Sequence, residues 1–154
     1  MASTSLDEFD QRIIEALSRN ARASNLELEA EIKLSHSAIS RRISRLEATG
    51  IIEGYSVRIN QAKLGLTVRA FVGVTRSPAV SAEELGCKLA KVPGVAVSYV
   101  VTGEQDIFIE VHARDLPQFA DLMLTGVQSI TGVATTRTIF VMREWREGSI
   151  VTVR

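Results

Sequence analysis

The chain has 154 residues with 18 basic and 18 acidic side chains, so its formal net charge is zero and global charge names no partner. Apolar residues make up 45%, which excludes wholesale disorder and allows a buried core in one ordinary domain or two small ones. A single cysteine, Cys87, excludes an internal disulfide and a Cys-based zinc site.

The first residues, MASTSLDEFDQR, are polar and acidic with no apolar signal region. No apolar run approaches the roughly 18 residues of a membrane helix. The expectation is a soluble cytoplasmic protein with no membrane partner. Up to about Gly54 the pattern is helical. Phe9, Ile13, Ala16 and Leu17 recur at helical spacing and predict a first helix from Asp7 to Arg19. Ser24 and Glu27 have capping-box spacing and start a second helix with Leu28 and Ile32 as its stripe. Lys33-Leu34-Ser35 is a tight turn. A third helix runs from His36 to Thr49, and Gly50 is placed to end it in a left-handed conformation. Ile51–Asn60 reads as a short strand or wing, and Gln61–Leu66 as a hinge.

The third helix concentrates charge. LSHSAISRRISRLEATGII carries three arginines and no acid before Glu47. At about 100° per residue, Ile39, Ile43 and Leu46 share an inward face. Ser37, Arg41 and Ser44 lie nearly opposite, with Ser40 beside them and Arg42 and Arg45 to one side. Small hydroxyls allow close approach to base edges, and arginines bond guanine or neutralise phosphate. The residue pattern therefore predicts a helix-turn-helix whose second helix reads double-stranded DNA. The competing reading is a solvated charged face, as many surface helices have.

From Leu66 onward the pattern alternates. Val68–Val74 is a strand, Ser81–Val92 a helix ended by Pro93-Gly94, and Val95–Val101 a strand. Thr102–Asp106 is a turn, Ile107–Ala113 a strand, Asp115–Ile130 a helix and Val133–Arg143 a last strand. The order β-α-β-β-α-β is the ferredoxin-like arrangement. The fold class is α+β, a winged-type helix-turn-helix domain over 1–54, a strand and hinge linker over 55–66, and a βαββαβ domain over 67–154. Cys87 reads as a small packing residue, and Trp145 as a packing or interface residue. His36 and His112 lie in different domains without metal-ligand neighbours, so no metal site is expected. P-loop, dinucleotide-binding and nucleophile-elbow patterns are absent from the sequence.

LDEFDQRIIEALSRNAR, LSHSAISRRISRLEATGIIEGYSVRIN, VSYVVTGEQDIFIEV and GVATTRTIFVM together resemble the Lrp/AsnC, or feast/famine, family of transcription regulators. The resemblance spans about Leu6 to Glu144 and implies a C-terminal domain (RAM domain) for effector binding and assembly. It further implies homodimers paired through their sheets, assembling to tetramers or octamers. A small effector, usually an amino acid, would bind between dimers near Thr102–Asp106. The family's glycine falls on Gly103 and its acidic residue on Asp106. Tyr99 and Val101 would line the pocket, and Thr135 and Thr136, with Gln128, would face it from a neighbouring subunit. Glu104 or Asp106 would accept from an ammonium, and turn N–H groups would donate to a carboxylate. On residues alone the segment reads first as a plain hairpin turn with solvated acids, and it is the resemblance that points to a ligand site. No cofactor and no enzyme activity are implied for a regulator. Two rivals stand beside it: an effector-independent DNA-architectural protein, and a sirohaem decarboxylase-like enzyme, since some relatives share this layout.

Overall fold

The computed structural model describes residues 6–145. They divide into two compact units, residues 6–58 with Trp145 and residues Ile59–Glu144.

Three helices build the first unit. In α1 (Glu8–Arg19), Asp7 caps the N-terminus by accepting from the Asp10 N–H at 2.9 Å, and the Asp10 carboxylate accepts from the Asp7 N–H at 3.2 Å. The box expected at α2 (Asn25–Ile32) is present, with the Ser24 N–H donating to Glu27 at 2.6 Å. Lys33 turns the chain at φ 63°, and α3 (His36–Ala48) follows. Gly50 has φ 72°, a conformation that favours glycine, and the Ile51 and Ile52 N–H groups close on the Leu46 carbonyl. Ile13, Leu28, Ile32, Ile39 and Leu46 are fully buried and weld the helices into one core.

The expected strand in Ile51–Asn60 does not form. Its alternation is real, but Tyr55, Val57 and Ile59 are exposed and no described segment pairs with them. A lone strand cannot satisfy its own backbone donors and acceptors.

In the second unit a 3-10 turn, Gln61–Leu64, sits inside the expected hinge. A four-stranded antiparallel sheet follows, built from β1 (Val68–Arg76), β2 (Val95–Val100), β3 (Ile107–Ala113) and β4 (Val133–Phe140). Its order is β2-β3-β1-β4, so β1 and β3 are central. The helices α4 (Ala82–Leu89) and α5 (Leu116–Asp121) complete the βαββαβ order. The chain continues from α5 directly into a π-helix, Leu122–Val127. It ends three residues before the expected Ile130.

Period-two alternation decides the faces. Ala70, Val72 and Val74 of β1 and Ile107, Ile109 and Val111 of β3 are buried together with Leu85, Leu89, Phe119, Met123 and Val127 of the helices. The other face carries Phe71 and Phe108, half-buried, with Val97, Tyr99 and Ile139 exposed. Cys87 corrects its expected packing role: Leu85, Gly86 and Leu89 take the inward side of α4, which leaves the thiol exposed. Trp145 is 79% exposed. No helix among the described residues is long and apolar enough to cross a membrane.

Because Ile39 is the buried anchor of α3, Ile39→Ala should cost about 2–5 kcal/mol. Urea unfolding should show a lower midpoint, and a loss under about 1 kcal/mol would mean the anchor lies elsewhere on α3.

Candidate nucleic-acid interface and effector turn

The outward surface of α3 begins with Ser35, whose hydroxyl accepts from the Ala38 N–H at 3.4 Å and lies 3.3 Å from the Ser37 hydroxyl. Ser37, Ser40, Arg41 and Ser44 are all exposed. At about 100° per residue they span an arc of roughly 100°. Among the described residues Arg41 has no hydrogen-bond or ion-pair partner. His36, beside this face, lies 3.2 Å from the Asn25 amide.

The other two arginines are not unopposed, which corrects the sequence reading. Arg42 reaches Asp7 at 2.7 Å and Asp10 at 2.8 Å, and stacks 5.5 Å over the Phe9 ring. Arg45 pairs with the second Asp10 oxygen. Asp10 is fully buried. The acids were invisible in the local sequence because they come from α1, 32 to 35 residues upstream. The Arg42 guanidinium is pushed up by its bonds to Asp10 and Asp7. Asp7 is held down, first by the Asp10 N–H and then by Arg42. Glu27 is held down by the Ser24 N–H and hydroxyl.

The turn after β2 is spread open. Thr102, Gly103 and Glu104 are exposed, and Gly103 has φ 132°. Glu104 approaches Arg137 at 3.4 Å, both largely solvated, a pair worth little by itself. Asp106 is already engaged. Its carboxylate accepts from the Arg76 N–H at 2.8 Å and lies 3.3 Å from the Arg76 guanidinium. Its carbonyl accepts from the Val101 N–H, and its N–H donates to Val74. Arg76 also donates to the Val80 carbonyl at 2.9 Å.

Two neighbours escaped the sequence reading. The Thr75 hydroxyl donates to Gln105 at 3.2 Å. The Gln105 side chain lies over Gly73, where any Cβ would come 2.8 Å from its Cγ. A glycine in a central strand is the one signal that could have pointed to this close approach. Tyr99 stands opposite Phe108 on the open face. Thr135 pairs with Thr75, and Thr136 with Val74, so the two threonines point to opposite faces. Thr136 accepts from the Gln128 amide at 2.9 Å on the helix side. They do not line one surface of this subunit. A hollow of about 540 Å³ lies at the opposite end of β2, beside Pro93, Gly94, Gln118 and Leu122.

The open sheet face carries a charged cluster. Glu110 meets Arg69 at 2.6 Å and His112 at 3.0 Å. Burial raises the Glu110 carboxyl, but Arg69 and His112 together outweigh it, and the net direction is down. Among the described residues no cluster of three or more His, Cys, Asp or Glu could hold a metal.

Residues 69–151 match the model of the Lrp/AsnC ligand-binding domain, and residues 6–53 match a winged helix-turn-helix DNA-binding model. The chain belongs to the Lrp/AsnC family. It is a DNA-binding transcription regulator by kind, with the family's two domains in the family's order. It is 33% identical to the HTH-type transcriptional regulator LysM of Saccharolobus solfataricus over 145 residues, 94% of this chain and 99% of that protein. Its fold is similar to AsnC of Escherichia coli, with TM-score 0.86 and 28% identity over 95% of this chain and 98% of the other. A Neisseria meningitidis transcriptional regulator solved with L-methionine gives TM-score 0.89 and 29% identity over 96% of each chain. As an Lrp/AsnC regulator, the chain meets the expected fold class in both halves.

The lowered carboxyls fix the sign of an acid response. Folded Asp7 and Glu27 lie below their ordinary values of 3.8 and 4.5. Their contribution is full above those values and lost as pH falls through the lower folded ones. The melting temperature of the helical unit should therefore hold steady above about pH 5 and fall below about pH 4, followed by circular dichroism. Asp7→Asn with Glu27→Gln should flatten that fall.

Proposed function

We propose that this chain is a sequence-specific transcription regulator whose α3 enters the major groove and whose C-terminal domain senses an amino acid. The observation that carries the reading is the outward strip Ser37, Ser40, Arg41 and Ser44, which has no acid among its members and an unpartnered guanidinium at its middle. Hydroxyls and a forked cation are the groups that bond base edges. The chain acts without catalysis, in the cytoplasm, and residues 55–66 serve as its linker.

We place the effector at the turn Thr102–Asp106, with Tyr99, Val101, Gly103, Glu104, Asp106 and one of Thr135 and Thr136 contributed across a subunit boundary. The exposed turn supports this, since it makes an open edge that a neighbouring subunit would have to close. Glu104 is the acid with capacity to spare for an ammonium, whereas Asp106 positions Arg76. A methionine-like effector fits the Neisseria relative's ligand. The open sheet face, with Val97, Tyr99 and Ile139 exposed, suits pairing of two copies into a homodimer that assembles further to tetramers or octamers.

Two measurements test the reading. Arg41→Ala should weaken binding to a selected DNA site by about 1–3 kcal/mol with unchanged melting. Wild-type affinity at matched salt would remove α3 from its role. A thermal-shift screen across the twenty amino acids should give a selective rise that Glu104→Ala reduces. No shift at millimolar ligand would favour an effector-independent architectural regulator, the second reading.

A further inference from the structure

We infer that Asp10 is a specificity-determining positioning residue: it holds Arg42 and Arg45 as internal cations, so that α3 offers DNA one free arginine rather than three. The inference rests on the reading that α3 enters the groove.

Asp10 is 0% exposed, yet each of its oxygens meets a guanidinium. Oδ1 accepts from Arg42 at 2.8 Å, while Oδ2 accepts from Arg45 and from the Asp7 N–H at 3.2 Å. Both oxygens are engaged, and three of the carboxylate's roughly four acceptor positions are filled. Arg42 is further held by Asp7 at 2.7 Å and by the Phe9 ring, and only 21% of its side chain is exposed. Arg45 is 45% exposed, and its bond to the second Asp10 oxygen is what keeps it from a phosphate.

For either arginine to leave for a phosphate, a carboxylate without water contact must lose a partner. A buried charge left without its partner is strongly unfavourable, whereas a phosphate contact at the surface gains little beyond released counterions. The exchange is therefore disfavoured, most of all at Arg42. What the pair supplies is geometry. Arg42 and Arg45 lie 3 residues apart on α3, and both are pinned to one carboxylate on α1. This fixes the rotation of α3 about its own axis, and with it the direction in which Ser37, Ser40, Arg41 and Ser44 face. Helix rotation decides which base edges are reached. The carboxylate also subtracts charge beside the reader face, which lowers attraction for DNA of any sequence.

Salt dependence separates a pinned arginine from a phosphate contact. Each neutralised phosphate contributes about 0.9 to the slope of log affinity against log salt. The three arginines would add about 2.7 per helix if all touched phosphate, and about 0.9 if only Arg41 does. The experiment uses the full chain with a duplex selected by the wild-type protein and a mixed-sequence duplex. Arg41→Gln should reduce the slope by about 0.9 per engaged helix, while Arg42→Gln and Arg45→Gln leave it unchanged. Asp10→Asn keeps one oxygen acceptor and removes the charge, which loosens Arg45 first because Asp7 and Phe9 still hold Arg42. It should steepen the slope on mixed-sequence DNA by up to about 1.8 per helix and lower the ratio of specific to non-specific affinity about tenfold. If Arg45→Gln or Arg42→Gln lowers the slope as much as Arg41→Gln does, the inference is overturned and α3 still reads DNA. If Arg41→Gln also leaves both affinity and slope unchanged, the reader-helix reading itself fails and takes the inference with it. Should Asp10→Asn not fold, Arg45→Gln still decides, because Arg42 remains on the carboxylate.

Discussion

One carboxylate, with no exposure and two guanidinium partners, sets the geometry of the whole helical unit. Apolar packing of Ile13, Leu28, Ile39 and Leu46 brings the helices together, but hydrophobic contact is non-directional and tolerates rotation. A forked ion pair does not. The same pairs divide α3 lengthwise, with an inward stripe of Ile39 and Leu46, a flank of pinned arginines, and an outer strip of hydroxyls around Arg41. The N-terminal caps support this arrangement from outside. Asp7 both closes α1 and steadies Arg42, so one side chain serves a helix end and a helix–helix contact.

The second unit obeys a different constraint, the two faces of an antiparallel sheet. Helices α4 and α5 cover one face, and aliphatic residues of β1 and β3 fill the space between. The other face carries aromatic residues beside the Arg69–Glu110–His112 cluster. Within that unit the turn after β2 sits where β1 ends, and Asp106 ties the two together through the Arg76 backbone. Gln105 then lies across Gly73, so the turn extends over the open face rather than standing clear of it.

What was legible in the sequence was local. The Ser24–Glu27 box and Gly50 closing α3 depend on residues three or four apart, and each is found as read. The order of strands and helices along the chain followed from alternation and helical periodicity, whereas in the sheet only β2 and β3 are neighbours both in sequence and in space. What was not legible depended on distant partners. Nothing near Arg42 or Arg45 announces Asp10, and nothing in Ile51–Asn60 announces that its alternation finds no ladder. The widened turn after α5 has no local signature either. Cys87 was a different kind of miss: Leu85 and Leu89 already define the inward stripe, and residue 87 falls off it. For the candidate effector residues, period two alone separates Thr135 from Thr136, whereas their joint assignment came from family likeness.

That separation gives β4 a mechanical character. Thr136 and Phe140 engage the chain's own helices, through the Gln128 amide and the Phe119 ring, while Thr135, Arg137 and Ile139 look outward. β4 is therefore shared between two surfaces: one set of its side chains belongs to the helix-covered core and the alternate set to the open face, so the placement of the strand as a body positions both at once.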